Sequence, residues 1–324
     1  MKAMLARTLA SIDDYEMVDL PMPEPGPGEV RIKVAACGVG YVDALVSLGR
    51  YQVKPALPHT PGGEAGGVVD ALGEGACGLA VGDRVMAQVR GGFAEYALAP
   101  AVGVLPIPAT MSFEQASGFR INYLTALHGL RDRADLQAGE RLLITGAAGG
   151  VGMAALQLGR VLGAEVIASA SSADKRAFAL AHGAGHAIDT APEGWRDRLK
   201  AATGGAGVDV IFDPVCGPLF ELAFRSLAWR GRHLVIGFAG GPIPTLPANL
   251  PLMKGACLIG VDVRQFPLFE PERAGAYLDE LLAWVAEGRL TPPVGRVFAF
   301  DQARDALSFA LSGAGVGKTV LRVA

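Results

Sequence analysis

Over the first 120 residues, apolar positions come in short runs broken by glycine and proline. EVRIKVAACG (29–38), AGGVVDALG (65–73), GDRVMAQV (82–89) and FAEYALAP (93–100) read as strands, and PMPEPGPGE (21–29) as an extended connection. The rhythm then changes. RLLITG (141–146), AEVIASA (164–170), HAIDT (186–190), VDVIFDPV (208–215), GRHLVIGF (231–238) and ACLIGVDV (256–263) are strand-like. The first five are separated by segments with helical spacing: GVGMAALQLGRVLG, ADKRAFALAHG, EGWRDRLKAATG and GPLFELAFRSLA. Alternation of this kind predicts an α/β domain with a doubly wound parallel sheet. The strands carry few charges, as strands covered on both faces do. From about residue 270 the chain predicts a helix, a strand (GRVFAF), a helix and a terminal strand, a tail expected to return to the first domain.

The first strand of the alternating region runs into GAAGGVG (146–152), and a helix follows. Strand, glycine turn and helix are the context that a dinucleotide-binding turn requires. Gly149 and Gly150 lack a Cβ and let a pyrophosphate approach the backbone, while Gly152 permits close helix–strand packing. Ala148 and Val151 flank these positions, and the helix start supplies unpaired N–H groups. A carboxylate at the end of the second strand would bond a ribose 2′-hydroxyl. Here Ala170 stands there, followed by Ser171, Ser172, Lys175 and Arg176. Two hydroxyls and two cations suit a 2′-phosphate, so the expected cofactor is NADPH.

The last residues raise a competing reading. SGAGVGKTV (312–320) ends in Gly-Lys-Thr, as a nucleotide-triphosphate loop does. The pattern needs glycine at 312, which is Ser312, and only VLRVA follows Thr319, too short for the required helix. The stretch is expected to be a turn into a terminal strand.

Composition narrows the classes. The 324 residues suggest two domains, and a net charge of −3 offers no basis for nucleic-acid or anionic-membrane binding. No apolar run reaches a membrane span, and the acidic start MKAMLARTLASIDDYE does not resemble a signal peptide, so a cytoplasmic protein is expected. Cys37, Cys77, Cys216 and Cys257 are widely spaced, which fits neither a disulfide framework nor a structural zinc site.

With PGPGEVRIKVAACGVGYVDAL, PHTPGGEAGGVV, GDRV, YLTALHGL, GAAGGVGMAALQLGRVLGAEVIA and GKTVL in view, the chain resembles the medium-chain dehydrogenase/reductase superfamily. It is most similar to the zinc-independent quinone oxidoreductase (zeta-crystallin-like) branch. The resemblance implies a GroES-like β-rich catalytic domain (1–122), a Rossmann domain (123–264) and a return to the catalytic domain (265–324). It also implies a homodimer. Zinc-dependent members place metal ligands where this chain has Gly40, Gly63 and Ile121, so no metal is expected; His59 and Glu64 lie near that place in sequence. Without a Lewis acid, quinones and activated alkenes are the acceptors best able to take a hydride.

Further roles follow from the resemblance alone. Tyr41 and Tyr51 fall at or beside the substrate-cleft positions and are the candidate catalytic hydroxyls. Thr125, Val215, Phe238, Gly240 and Lys318 are carried over as cofactor contacts, beside the glycine turn and Ser171, Ser172 and Lys175. The chain departs from many relatives at Gly40, Thr190 and Gly313, where they carry Asn, Tyr and Arg, so the NADPH reading leans on the serines and Lys175. Two alternatives stand beside quinone reduction: NADPH-dependent reduction of 2-alkenals or enones, and a weakly catalytic NADPH-binding sensor or RNA-binding relative.

Overall fold

The computed structural model describes all 324 residues, which fall into two compact units: Met1–Ile121 with Leu282–Ala324, and Asn122–Leu281. The first unit is built on a seven-stranded sheet. Along its path run Val294–Ala299, Lys318–Arg322, Glu29–Val39, Glu64–Leu72, Arg84–Gln88 and Val104–Pro106, while Tyr96–Pro100 pairs with Glu29–Val39. The long strand Glu29–Val39 sends Val30, Ile32 and Val34 inward, the period of two that its sequence showed. They meet Tyr15, Phe93 and Phe298 in one core. Lys318–Arg322 lies antiparallel to Glu29–Val39 and parallel to Val294–Ala299, so the tail completes this sheet. The stretch Ser312–Val320 is the expected turn: Gly313 and Gly317 take positive φ (63° and 61°), and a strand follows, not a helix.

Two short helices here were not foreseen, Tyr41–Ser47 and Phe113–Ala116. In the first, the Asp43 carboxylate accepts the Gly40 N–H at 2.7 Å, closing its first turn.

The second unit is a six-stranded sheet, parallel throughout. Its order is His186–Ile188, Glu165–Ser169, Arg141–Thr145, Val208–Asp213, Leu227–Val235 and Cys257–Gly260. The order of winding reverses beside Arg141–Thr145, the point where such sheets bind ligands at their carboxyl ends. Leu142, Leu143 and Ile144 are wholly buried, because helices cover both faces. The helix Gly150–Val161 packs closely enough that a Cβ on Gly159 would meet Leu142 Cδ2 at 2.7 Å.

The chain leaves this unit at 282 rather than at the expected 265. The helix that precedes this point buries Ala274, Tyr277, Leu278 and Leu281 and is also held by ion pairs. Helix Pro271–Ala286 sends Arg273 to Asp132 (2.6 Å) and Glu280 to Arg131 (2.5 Å), and the Tyr277 hydroxyl donates to Asp132. Their partners lie on a π-helical turn, His128–Arg133, in which Asp132 also meets His128 Nδ1 at 2.8 Å. No helix of the chain is long and apolar enough to cross a membrane.

Candidate functional site

The glycine turn sits where the first parallel strand becomes a helix. Gly146 has φ 57°, and a Cβ on Gly152 would lie 2.3 Å from the Gly146 carbonyl oxygen, so strand end and helix touch backbone to backbone. A Cβ on Gly149 would find no atom closer than 3.5 Å, which leaves room above the turn. Gly149 caps the helix with extended backbone, and Gly150 and Val151 open it. Ala148 is buried beneath. Asn122 lies over the first helical turn, its Nδ2 2.8 Å from where a Gly150 Cβ would be. The nearby hydroxyl of Tyr123 donates to Gln157 at 2.8 Å, and Thr125 is buried on the same short helix, Arg120–Leu127.

After the second strand, Ser171 and Ser172 are exposed, with no carboxylate at Ala170. Ser172 caps helix Ala173–Ala181: its Oγ accepts the Lys175 N–H at 3.3 Å and keeps its own proton for donation. Lys175 is half-buried. Arg176 is partly spoken for, donating to the Ala170 carbonyl at 3.1 Å. After the fourth strand, Val215 lies against the glycine turn; a Cβ on Gly146 would meet Val215 Cγ2 at 2.9 Å. After the fifth, the Gly240 N–H donates to the Val215 carbonyl at 2.8 Å, and Phe238 is exposed. The second unit therefore gathers the glycine turn, Ser171, Ser172, Lys175, Val215, Phe238 and Gly240 at the carboxyl ends of its strands. Cys216 is fully buried there, its thiol pushed up by burial and by the Asp213 carboxylate, so it is not a reactive thiolate.

Sequence reasoning missed the group beneath these loops. Asp213, Thr145 and His233 form a buried cluster. The only sequence signal was an aspartate inside an apolar strand, which also reads as a strand end.

The first unit holds Tyr41, Tyr51 and Lys318, all half-buried. Tyr41 is the first residue of its helix, one residue after Gly40. The Lys318 stem threads between two glycines: a Cβ on Gly118 would lie 2.3 Å from Lys318 Cγ, and one on Gly38 2.7 Å from Cε. The ammonium emerges by Gly40, 3.4 Å from where a Cβ there would sit.

At the positions that would ligate zinc, a Cβ on Gly63 would meet nothing within 4 Å, and the Ile121 N–H donates to Glu64 Oε1 at 3.1 Å. No three His, Cys, Asp or Glu side chains are grouped as a metal would need. Burial pushes the Glu64 carboxyl up to about 7, opposed by Lys318 and the Ile121 N–H, while Asp43 adds to the rise. The His59 imidazole is held below its usual range by burial, against the pull of Asp43.

A nucleotide-type parallel sheet with a glycine turn, joined in one chain to a β unit that its C-terminus completes, is the architecture of a dehydrogenase or reductase. Comparison with known proteins narrows this. Residues 26–109 match the family model described as alcohol dehydrogenase GroES-like domain, and 150–282 the one described as zinc-binding dehydrogenase. A quinone oxidoreductase-like protein 2 homolog of Nematostella vectensis is 35% identical over 300 residues, 91% of this chain and 82% of that one. Among solved structures, the Escherichia coli quinone oxidoreductase complexed with NADPH superposes with a TM-score of 0.91 at 27% identity, covering 100% of both chains. The CurK enoyl reductase gives 0.89 at 28% identity, covering 99% of both. The chain belongs to the medium-chain dehydrogenase/reductase superfamily, in its quinone oxidoreductase-like branch.

Two outcomes are expected. Gly152→Ala drives a Cβ into backbone that cannot rotate away, so it should cost about 1–3 kcal/mol in chemical denaturation and weaken dinucleotide binding in a fluorescence titration. Glu64 is protonated in the folded chain up to about 7 but ionises earlier in the unfolded chain. Its contribution is therefore full in acid and is lost as pH rises from the ordinary carboxylate range through about 7. Glu64→Gln should match the parent near pH 4 and exceed it by about 2–3 kcal/mol at pH 8, measured by urea unfolding at both values.

Proposed function

We propose that this protein is an NADPH-dependent oxidoreductase that reduces quinone-type acceptors without a metal. The observation that carries the reading is the contrast between the two units: the nucleotide turn keeps its backbone space, while the zinc positions hold Gly40, Gly63 and Ile121. The match to quinone oxidoreductases supports the acceptor class.

NADPH fits the residues present. The N–H groups that begin helix Gly150–Val161 would receive the pyrophosphate, with Gly149 providing the approach. Ser171, the Ser172 hydroxyl and Lys175 would receive the 2′-phosphate at the start of helix Ala173–Ala181. Thr125, Val215, Phe238 and Gly240 would confine the nicotinamide end, and Lys318 would add a positive charge. When bound, NADPH supplies the hydride. The chain's own part is to orient the acceptor, exclude water and provide a hydrogen-bond donor to the acceptor oxygen as negative charge grows there. Tyr41 and Tyr51 are the donors we assign. An acceptor that delocalises that charge needs little more, which favours quinones over simple ketones.

Reduction of an enal or enone by the same residues is the second reading, favoured by the likeness to an enoyl reductase. The two are separated by steady-state NADPH oxidation with ortho- and para-quinones, enals and enoyl thioesters. The expected outcome is that quinones give the highest kcat/KM; turnover of alkenes alone would replace the first reading with the second, and no turnover with any acceptor would remove both. Lys175→Ala should weaken NADPH about ten-fold, or about 1.4 kcal/mol, and leave NADH unchanged.

We also propose a homodimer formed through the Cys257–Gly260 edge of the parallel sheet. Cys257–Gly260 has a neighbour on one side only, and Trp229, Leu252, Met253 and Leu258 are exposed on or beside the edge strands. Light scattering should give twice the 33.5 kDa chain mass, and Leu258→Arg should shift it toward the single chain.

A further inference from the structure

Asp213 ends the fourth strand of the parallel sheet with its carboxylate almost wholly buried. An isolated carboxylate there would be costly; this one is met by four donors. The Thr145 hydroxyl donates to Oδ1 from the end of the first strand, immediately before the glycine turn. The N–H groups of Val215 (3.0 Å) and Cys216 (2.8 Å) donate to the same oxygen. His233 Nε2 meets Oδ2 at 3.0 Å from the fifth strand. His233 Nδ1 is buried with no hydrogen-bond partner, so a ring proton finds its acceptor on the Nε2 side, at Asp213 Oδ2. Burial alone would raise the Asp213 carboxyl, but His233, Thr145 and the Cys216 N–H hold it below the usual range.

The held segment is the one on which the neighbouring loops rest. Cys216 is kept at φ 44°, a conformation rare outside glycine. Val215 abuts Gly146 of the glycine turn and accepts the Gly240 N–H. A Cβ on Gly240 would collide with Gly217 Cα at 2.6 Å and with the Val215 carbonyl oxygen at 2.8 Å. Three loops thus interlock around Val215, and one carboxylate fixes Val215 to the first and fifth strands.

We propose that Asp213 is a positioning residue for the dinucleotide, setting through Val215 the relative placement of the glycine turn and the Gly237–Gly241 loop. The inference rests on the NADPH reading given above. Its sign separates it from simple electrostatics. Removing a negative charge near a diphosphate binder should tighten anion binding by Coulomb attraction alone; removing a positioning group should loosen it.

The test is Asp213→Asn, which keeps size and one acceptor oxygen. Its amide N–H would face the His233 Nε2–H, and moving that proton to Nδ1 would bury a donor without a partner. Direct fluorescence titration should show the NADPH Kd rising ten-fold or more. In steady state the loss should appear in the KM for NADPH, with kcat at saturating NADPH far less affected. A folded variant, checked by circular dichroism and melting temperature, that binds NADPH as tightly as the parent or more tightly would overturn the proposal. Should Asp213→Asn not fold, Thr145→Val removes one donor with little change of shape. A three-fold or larger rise in Kd is then expected, and an unchanged Kd overturns the proposal. Failure of the unaltered protein to bind NADPH would remove the underlying reading as well, an outcome distinct from equal binding by parent and variants.

Discussion

Everything at the carboxyl ends of the parallel sheet depends on backbone contact where side chains would ordinarily stand. The Gly146 carbonyl occupies the space of a Gly152 Cβ, so the helix Gly150–Val161 begins close against the strand that feeds it. That proximity aims the first N–H groups of the helix outward from the sheet, where they meet no intrahelical acceptor. The same device recurs between loops. Gly146 leaves room for Val215, and Gly240 leaves room for Gly217 and the Val215 carbonyl. Glycines spread over nearly a hundred positions therefore serve one compact surface, and their shared role is space rather than flexibility.

Close backbone contact needs something to hold it, because glycine contributes little packing and loses the most entropy on ordering. In the second unit the surrounding strands are apolar, and the restraint comes from a single polar group inside them. Asp213 satisfies two backbone N–H groups that no ladder pairs and takes one donor from each flanking strand. A carboxylate without donors in such surroundings would be costly. The full set makes the loop conformation specific, at the cost of burying a charge.

Much of this fold was legible in sequence. The alternation from RLLITG to GRHLVIGF announced the parallel sheet because its strands are apolar on both faces and its helices are not. GAAGGVG announced the turn because a strand precedes it and a helix follows. The Ser312–Val320 turn was legible from Ser312 in the place of the required glycine and from the β-branched, apolar run that follows Thr319. Other features rest on pairings between distant residues, which periodicity does not carry. The helix Tyr41–Ser47 lay inside a region dominated by strand signals, and Asp43 caps it locally. The contacts of Asp132 with Arg273 and Tyr277 join positions about 145 residues apart in the case of the tyrosine. The roles of Gly38 and Gly118 appear only once the Lys318 stem is seen to run between them. In the candidate site the loop residues could be carried over by resemblance, whereas Asp213, with Thr145 and His233 meeting it from the two flanking strands, could not.

In the first unit the same logic of space and fixed charge applies. Two glycines hold the Lys318 stem in one course, so its ammonium is set beside Gly40, next to the start of the Tyr41 helix. A fixed cation stabilises an anionic oxygen or phosphate better than a mobile one, because its orientation is already established. Glu64 lies in the same field, and its carboxyl is turned onto the Ile121 N–H. A carboxyl that titrates near neutrality leaves the Lys318 charge less compensated at low pH than at high pH. The electrostatic character of this unit therefore changes across the physiological range through a residue that need not itself touch any bound molecule.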